Sequence, residues 1–292
     1  MRLTIRVTIS FLKLIPIPVY YFLANLFFYV IYYILRYRRP LVRKNLNNAF
    51  PELSRAETDR IERTFYHYLA DTFLETFAFF SMKKNDFAER FDVLNRDLIQ
   101  TYLSSGKNVL ILLGHYGNWE FGCSSPLFID YPFYTLYKPQ SIRFFNDAIM
   151  QSREKFGMQL LPYPDLYKKV ISLLKKCPVV VLMLADQRPK PEKNARWITF
   201  LNQPVTIFRG ADNIHQALNG VVLYAKVIKI KRGHYSIEVV PIKDDSYPLA
   251  NEKSITEKYM KLLEENIRLD PGCYLWSHDR WKFKKPLEKN QI

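Results

Sequence analysis

The segment "LGHYGNWEFG", residues 113–122, holds residue types that can carry out acid–base chemistry. It places His115 before Glu120, directly after the apolar run "VLILL" at 109–113. A histidine can remove a proton from a hydroxyl group. A carboxylate on its other ring nitrogen then fixes the tautomer and stabilises the imidazolium. The same spacing also fits a loop histidine beside a glutamate that a helix dipole stabilises, and the spacing alone leaves both interpretations open.

Strand and helix patterns alternate around this segment. This predicts an α/β fold: a single catalytic domain with a central, mainly parallel sheet flanked by helices. Ligands of such sheets bind at the carboxyl ends of the strands, and His115 follows one of them. Asn118 is predicted to cap the next helix, which puts Glu120 in its first turn. The predicted strands cover 108–113, 133–137, 179–185 and a hairpin across Lys231–Gly233, and the predicted helices cover 54–80, 142–157, 165–176, 211–220 and 252–268.

An uncharged, largely apolar stretch of 22 residues lies between Lys13 and Arg36. A helix needs about 20 apolar residues to cross the hydrocarbon layer, and Pro16 and Pro18 shorten a straight one to roughly 19–35. We therefore predict an N-terminal membrane-anchor helix within residues 1–40. Whether it spans the bilayer or lies in its interface stays open, and a buried core helix of a soluble protein is the alternative.

The formal net charge of +15 is concentrated at the chain ends. Residues 1–50 contain eight Lys or Arg and no Asp or Glu. Because this excess lies beside the apolar stretch, it indicates an anionic membrane as partner and argues against nucleic acid. The basic run "RYRRP" at 36–40 predicts that the domain formed by residues 41–292 lies on the cytoplasmic side.

Cysteine usage and motif content exclude several classes of site. Cys123, Cys177 and Cys273 are scattered and form neither a metal-binding spacing nor a disulfide framework. The sequence has no Walker loop, no GxGxxG and no Cys/His cluster. We therefore expect an enzyme without metal or cofactor, in a reducing compartment.

Six segments resemble, in order, the motifs of one family, the bacterial late acyltransferases of lipid A assembly (lauroyl/myristoyl transferases, in the lysophospholipid acyltransferase-like superfamily). "GHYGNWE" is similar to the family's His-x4-Asp/Glu motif. The resemblance runs from about residue 14 to 285. The other matching segments are "RKNLNNAFPE" (43–52), "YKP" (137–139), "ADQ" (185–187), "FLNQPVTIFRGA" (200–211) and "DPGCYLWSHDRWK" (270–282).

The resemblance implies transfer of a fatty acyl chain from a thioester, with acyl carrier protein as donor, to a hydroxyl of a lipid A precursor at the bacterial inner membrane. His115 is then the general base, and Glu120 the carboxylate that orients and stabilises it. The Gly117 N–H or the Asn118 amide is suggested as oxyanion donor. Substrate contacts are expected from Asn118, Lys138, Asp186, Gln187 and Arg209, with Lys138 and Arg209 aimed at a phosphate of the lipid or of the donor.

Two departures from the family pattern leave the acceptor open. Lys138 replaces the more usual arginine and lacks its bidentate fork for phosphate, and "ADQRPK" lacks the second aspartate of many relatives. The same transfer onto another glycolipid or an aminolipid is one alternative, and a non-catalytic protein that binds anionic membrane is the other. Structural interpretations also stand: Lys138 as a solvated loop residue, Asp186 as a loop cap and Arg209 as support for a helix start.

Overall fold

A computed structural model describes residues 11–137, 139, 143–162, 177–189, 195–207, 210–218, 220–243 and 254–285. The helices are α1 Ile17–Tyr29, α2 Arg39–Ala49, α3 Arg55–Ala78, α4 Lys84–Arg90, α5 Arg96–Ser104, α6 Arg143–Glu154, α7 Gly210–Leu218 and α8 Ile255–Leu269. The strands are β1 Phe91–Val93, β2 Val109–Leu113, β3 Phe133–Tyr137, β4 Met158–Pro162, β5 Val180–Leu184, β6 Trp197–Phe200, β7 Gln203–Thr206, β8 Val221–Lys231 and β9 His234–Lys243. Val30–Ile34 is a π-helical turn, and Trp119–Leu127 and Pro271–Cys273 are 3-10 helices.

The central sheet has the strand order β1-β9-β8-β2-β5-β3-β4. Strand β2 pairs in parallel with both β8 and β5, and β3 pairs in parallel with β5 and β4. Strand β9 is antiparallel to β8 and pairs in parallel with β1. Every residue of β2 is buried, as expected for a strand covered on both faces. The predicted α/β fold with a mainly parallel sheet is confirmed.

Local sequence signals account for several of these elements. Helix α3 begins with the predicted capping box, in which Ser54 and Glu57 each bind the other's backbone N–H. Strands β8 and β9 form the predicted hairpin, and Gly233 takes the positive φ of 73° at its turn. Seven described helices and strands were not predicted: α2, α4, α5, β1, β4, β6 and β7. The predicted helix at 165–176 lies outside the described residues.

Helix α1 lies antiparallel along α3 over its whole length. Phe27 stacks on Phe73 with ring centroids 5.0 Å apart, and Phe28 stacks on His67 at 3.5 Å. At the end near the π-helical turn, the Tyr32 ring meets Tyr66 at 5.2 Å. The predicted apolar N-terminal helix is therefore present, and one of its faces is part of the protein core.

Residues Ile17–Ile34 are, within the described part of the chain, the single segment long and apolar enough to cross a membrane by length and composition. Polar contacts nevertheless fasten this segment to the rest of the protein. The Tyr21 hydroxyl donates to Glu75 at 2.9 Å, and Arg232 of the β8–β9 hairpin donates to Asn25 at 2.9 Å. Arg232 also forms an ion pair with Asp71 at 2.5 Å. The segment thus belongs structurally to the globular fold.

We predict that Phe28→Ala destabilises the detergent-solubilised protein by about 3–5 kcal/mol, because it empties a buried site between α1 and α3. Phe22→Ala, on the exposed face of the same helix, is the matched control and should change the free energy of unfolding by about 0.5 kcal/mol or less. Urea unfolding followed by tryptophan fluorescence measures both. Equal, small effects would show that α1 does not pack on α3.

Candidate active site

His115 lies in the loop after β2, and the loop is held from two sides. The His115 carbonyl accepts a hydrogen bond from Leu275 N–H at 3.1 Å, and the Gly117 N–H donates to Cys273 O at 2.9 Å. The Tyr68 hydroxyl donates to Gly117 O at 2.8 Å. Gly117 has a φ of 54°, and a Cβ at this position would come within 2.6 Å of a Val227 methyl group. Only glycine fits here without displacing the loop.

Asp186 supplies the carboxylate that contacts His115. Its Oδ1 lies 2.6 Å from the His115 Nδ1, and its Oδ2 accepts the His115 backbone N–H at 3.0 Å. Both carboxylate oxygens are thus used by one residue, which fixes the rotation of the imidazole relative to its own backbone. Burial would raise the pKa of Asp186, but His115 beside it lowers that pKa below the ordinary value.

The register of the central sheet explains why these two residues meet. Strands β2 and β5 pair in parallel with Leu113 opposite Leu184. His115 and Asp186 each lie two residues beyond these partners, at the same edge of the sheet. Asp186 was expected to contact substrate, whereas in the structure its carboxylate contacts His115. The sequence analysis did not identify this pair, although its two members lie at equal offsets from the ends of two predicted strands.

Glu120 does not occupy the position that the motif spacing suggested. Its carboxylate accepts two hydrogen bonds from Arg153, at 2.8 and 2.6 Å, and one from Trp119 Nε1 at 3.1 Å. Burial would raise the pKa of Glu120, but the Arg153 guanidinium lowers it. The expected Glu120–His115 contact is thus replaced by Asp186, because the first turn of the 3-10 helix directs Glu120 towards α6. A catalytic role for Glu120 stays a prediction.

Asn118 caps the 3-10 helix as predicted, since its Oδ1 accepts the Glu120 N–H at 3.1 Å. Its Nδ2 donates to Glu75 at 2.5 Å, and the side chain is buried. Glu75 also accepts hydrogen bonds from Tyr21 and, at 3.2 Å, from Tyr235. Burial raises the pKa of this carboxyl group. The protein itself occupies both polar ends of Asn118, in place of the substrate contact expected there.

The remaining predicted site residues fall into two groups. Gln187 is exposed directly beside Asp186. Lys138 and Arg209 lie outside the described residues.

The suggested oxyanion donors are already engaged, because the Gly117 N–H donates to Cys273 O and the Asn118 amide donates to Glu75. The structure therefore corrects that suggestion.

The C-terminal segment, residues 270–281, closes the site and contributes a charge that the sequence did not assign. Arg280 is 2% exposed and donates from Nη2 to Thr206 O at 2.9 Å. Its Nε and Nη1 have no hydrogen-bond partner within the described ranges. The positive charge of Arg280 also helps to lower the pKa of Asp186. Arg153 is the other charged site residue that sequence reasoning missed, since 33 positions separate it from Glu120.

We predict that Arg153→Met costs about 3–5 kcal/mol of stability at pH 7, because it leaves the buried Glu120 carboxylate without its cation. The folded pKa of Glu120 is lowered, so the stability from this pair is present above the unfolded pKa of about 4.3. It is lost as the pH falls through the folded pKa. Urea unfolding at decreasing pH should show that the difference in the free energy of unfolding between wild type and Arg153→Met becomes smaller.

The matched control is Lys226→Met, which removes a half-exposed ion pair with Glu238 at 3.4 Å. Exposed pairs of this kind contribute about 0.2–1 kcal/mol. An Arg153→Met effect no larger than that of the control would contradict the buried pair.

Comparison with known proteins places this geometry in a family context. The family model for bacterial lipid A biosynthesis acyltransferases matches residues 4–283. The lipid A biosynthesis palmitoleoyltransferase of Escherichia coli (strain K12) is 21% identical over 279 residues, which cover 95% of this chain and 89% of the relative. The lipid A biosynthesis acyltransferase of Shigella flexneri matches with the same identity and coverage.

The family match includes the His115 loop, Asp186, Arg153 and the C-terminal segment that closes over them. The family resemblance seen in the sequence motifs is therefore confirmed. The chain belongs to the bacterial lipid A biosynthesis acyltransferase family and is an acyltransferase.

Proposed function

We propose that this acyltransferase moves a fatty acyl chain from acyl carrier protein to a hydroxyl of a lipid A precursor, with His115 as general base. Membership of the family supports acyl transfer in lipid A biosynthesis. The observation that carries the assignment of the base is the 2.6 Å contact between His115 Nδ1 and Asp186 Oδ1. With the proton on Nδ1 held by the carboxylate, Nε2 is free to accept another.

In the proposed reaction, His115 Nε2 takes the proton of the acceptor hydroxyl as the oxygen attacks the thioester carbonyl carbon. The new C–O bond forms and the C–S bond of the thioester breaks. The departing thiolate takes the proton back from the imidazolium, which returns His115 to its starting state. Asp186 stabilises the imidazolium in between and is the orienting residue of the proposal.

In the proposal, Glu120 contributes to catalysis as a positioning residue, because it fixes the turn that holds Trp119 beside His115. The bidentate pair with Arg153 joins the 3-10 helix to α6, and the Trp119 ring, which donates to Glu120, lies edge-on to His115 with centroids 4.8 Å apart. Glu120 thereby positions a wall of the site. Lys138 and Arg209 stay proposed contacts for a phosphate, and Gln187 stays a proposed substrate-side residue. Asn118 acts on the site through the cap that it provides for the 3-10 helix.

The proposal places the enzyme at the bacterial inner membrane with its catalytic domain, residues 41–292, on the cytoplasmic side. Residues 1–40 supply the membrane attachment. The basic residues after the apolar segment support this orientation. Acyl carrier proteins are acidic, and the net charge of +15 favours their encounter with this chain.

We predict that His115→Ala lowers turnover by about 10²–10⁴-fold, as expected for loss of a general base. The assay uses detergent-solubilised protein, a mixed-chain acyl carrier protein pool and a tetra-acylated lipid A precursor, with products read by mass spectrometry. A parallel reaction with acyl coenzyme A tests the donor. Wild-type protein should add the mass of one acyl chain, and that mass reports the chain length.

Cys123→Ala is the control for a covalent route. Burial raises the pKa of the Cys123 thiol to about 12, so it is protonated at neutral pH and a poor nucleophile. Near wild-type turnover in Cys123→Ala, with loss in His115→Ala, is the expected result. Activity that survives in His115→Ala rejects the general base, and transfer only to other glycolipids or aminolipids rejects the acceptor.

We predict that Asp186→Asn loses about 10³–10⁴-fold in kcat with folding intact. The His115 backbone N–H requires the Asn oxygen, so the Asn NH₂ group must face Nδ1. This reverses the tautomer and puts the proton on Nε2. Glu120→Gln should lose no more than about 10²-fold, since it only displaces the site wall. A larger loss of kcat in Glu120→Gln than in Asp186→Asn would contradict this and indicate that Glu120 orients His115.

A further inference from the structure

We propose that α1, the π-helical turn Val30–Ile34 and the tip of the β8–β9 hairpin form one membrane-contact face that lies in the interface of an anionic bilayer. Helix α1 then runs parallel to the membrane plane and does not cross it. The inference rests on the membrane attachment in the proposed function. It specifies which surfaces meet the lipid and at what depth.

The outward face of α1 and of the π-helical turn that follows it is a continuous apolar stripe. Its large side chains recur at helical spacing, and their exposed fractions include 61% for Phe22 and 73% for Ile34. Soluble monomers seldom expose a contiguous patch of this kind unless it binds a partner. The exposed members of the stripe are Val19, Phe22, Leu23, Leu26, Tyr29, Val30, Tyr33 and Ile34.

The inward face of α1 is what rules out a span. Helix α3 runs beside α1 along its whole length, so a membrane-crossing α1 would carry α3 through the hydrocarbon. The facing side of α3 holds Glu75, which bonds Tyr21, and Asp71, which pairs with Arg232. Polar and ionisable side chains at membrane depth are costly. With α1 in the interface plane, these groups stay on the protein side and only the stripe enters the lipid.

The hairpin tip extends the same face. Arg232 bonds the backbone carbonyl of Tyr21 at 3.2 Å and the side chain of Asn25 at 2.9 Å, which holds the tip against α1. Ile230, next to it, is 62% exposed. A large apolar side chain at an exposed hairpin tip is suited to insertion among acyl chains. Phe73 of α3 is also half-exposed while it stacks on Phe27, so it continues the apolar surface sideways.

The charges around the stripe indicate which lipid it meets. Lys13 and Arg36 are exposed at the two ends of the apolar segment, and Lys231 is exposed at the hairpin tip. No acidic residue occurs in the first 50 residues. An apolar face with cationic residues at its edges complements a bilayer with anionic headgroups. A second protein would need a matching acidic rim, and nothing in the described residues favours one.

Depth measurements on the full chain separate the in-plane from the spanning arrangement. Val19→Cys, Leu26→Cys and Tyr33→Cys each place one fluorophore on the stripe, two helical turns apart. The background is Cys177→Ser, which removes the exposed native thiol. Burial raises the pKa of Cys123 and Cys273 to about 12, so these thiols react slowly with the label. The vesicles contain phosphatidylethanolamine and phosphatidylglycerol, with lipid-borne quenchers at stepped depths.

The expected result is the same shallow depth at all three positions. A spanning helix would instead place Leu26 deeper than Val19 and Tyr33 by about 10 Å, since seven residues rise that far along a helix axis. Three equal depths support the proposal, and a deep central position overturns it. Labels that remain in water with vesicles present also overturn it.

A second comparison tests the hairpin tip alone. Ile230→Asp should lower partitioning onto the same vesicles by roughly tenfold or more, because a buried isoleucine is lost from the lipid. Leu94→Asp, at an exposed apolar site after β1, is the matched control and should leave partitioning unchanged. Equal partitioning of both variants overturns the role of the tip. None of these measurements uses turnover, so failure of the membrane face and failure of the acyl-transfer proposal are read separately.

Discussion

The in-register parallel pairing of β2 with β5 determines where the chemistry of this protein takes place. Because Leu113 and Leu184 lie side by side, the chain leaves both strands at the same height of the sheet. Two residues beyond these partners lie His115, which follows β2, and Asp186, which follows β5. Sheet register is specified wherever both faces are buried, as they are for β2. The hydrophobic core thus sets a distance between two polar side chains that no local signal controls.

Around that pair, each buried carboxylate is balanced in a different way. Asp186 is held by His115 and faces the charge of Arg280, whereas Glu120 is matched by the bidentate fork of Arg153. Glu75 has hydrogen-bond donors but forms no ion pair among the described residues, and burial raises its pKa. Two ionised carboxylates and one with a raised pKa therefore lie within the same small volume. This separation of protonation behaviour is typical of sites that move protons.

The fold was largely predictable from the sequence, and the site only in part. Apolar runs and the Ser54–Glu57 capping box mark their elements through local physics, which a single sequence displays. The strands β6 and β7 escaped prediction because their short pattern includes a proline and little alternation. The position of His115 followed from strand-end logic. The identity of the carboxylate that contacts His115 did not follow. Glu120 is only five residues further along the chain, but the pairing of β2 with β5 brings Asp186 into contact with His115 instead.

The charged partners were hidden for the same reason. Arg153 and Glu120 belong to different elements, and their pairing depends on how α6 packs against the 3-10 helix. Arg280 lies in the segment 270–282, which resembled a family motif but gave no role for this arginine. Long-range contacts of this kind arise from tertiary packing. A motif can mark the region but not the contact.

The hydrogen bonds that converge on Glu75 have a consequence for how this protein can be re-engineered. Tyr21 of α1 and Asn118 of the catalytic turn share this one carboxylate, one on each oxygen. The N-terminal helix is therefore not a detachable module. A truncated form made for solubility would free a buried acceptor and loosen the cap of the 3-10 helix beside His115. A chimera with a foreign targeting helix would inherit the same defect unless the graft retained a donor at position 21.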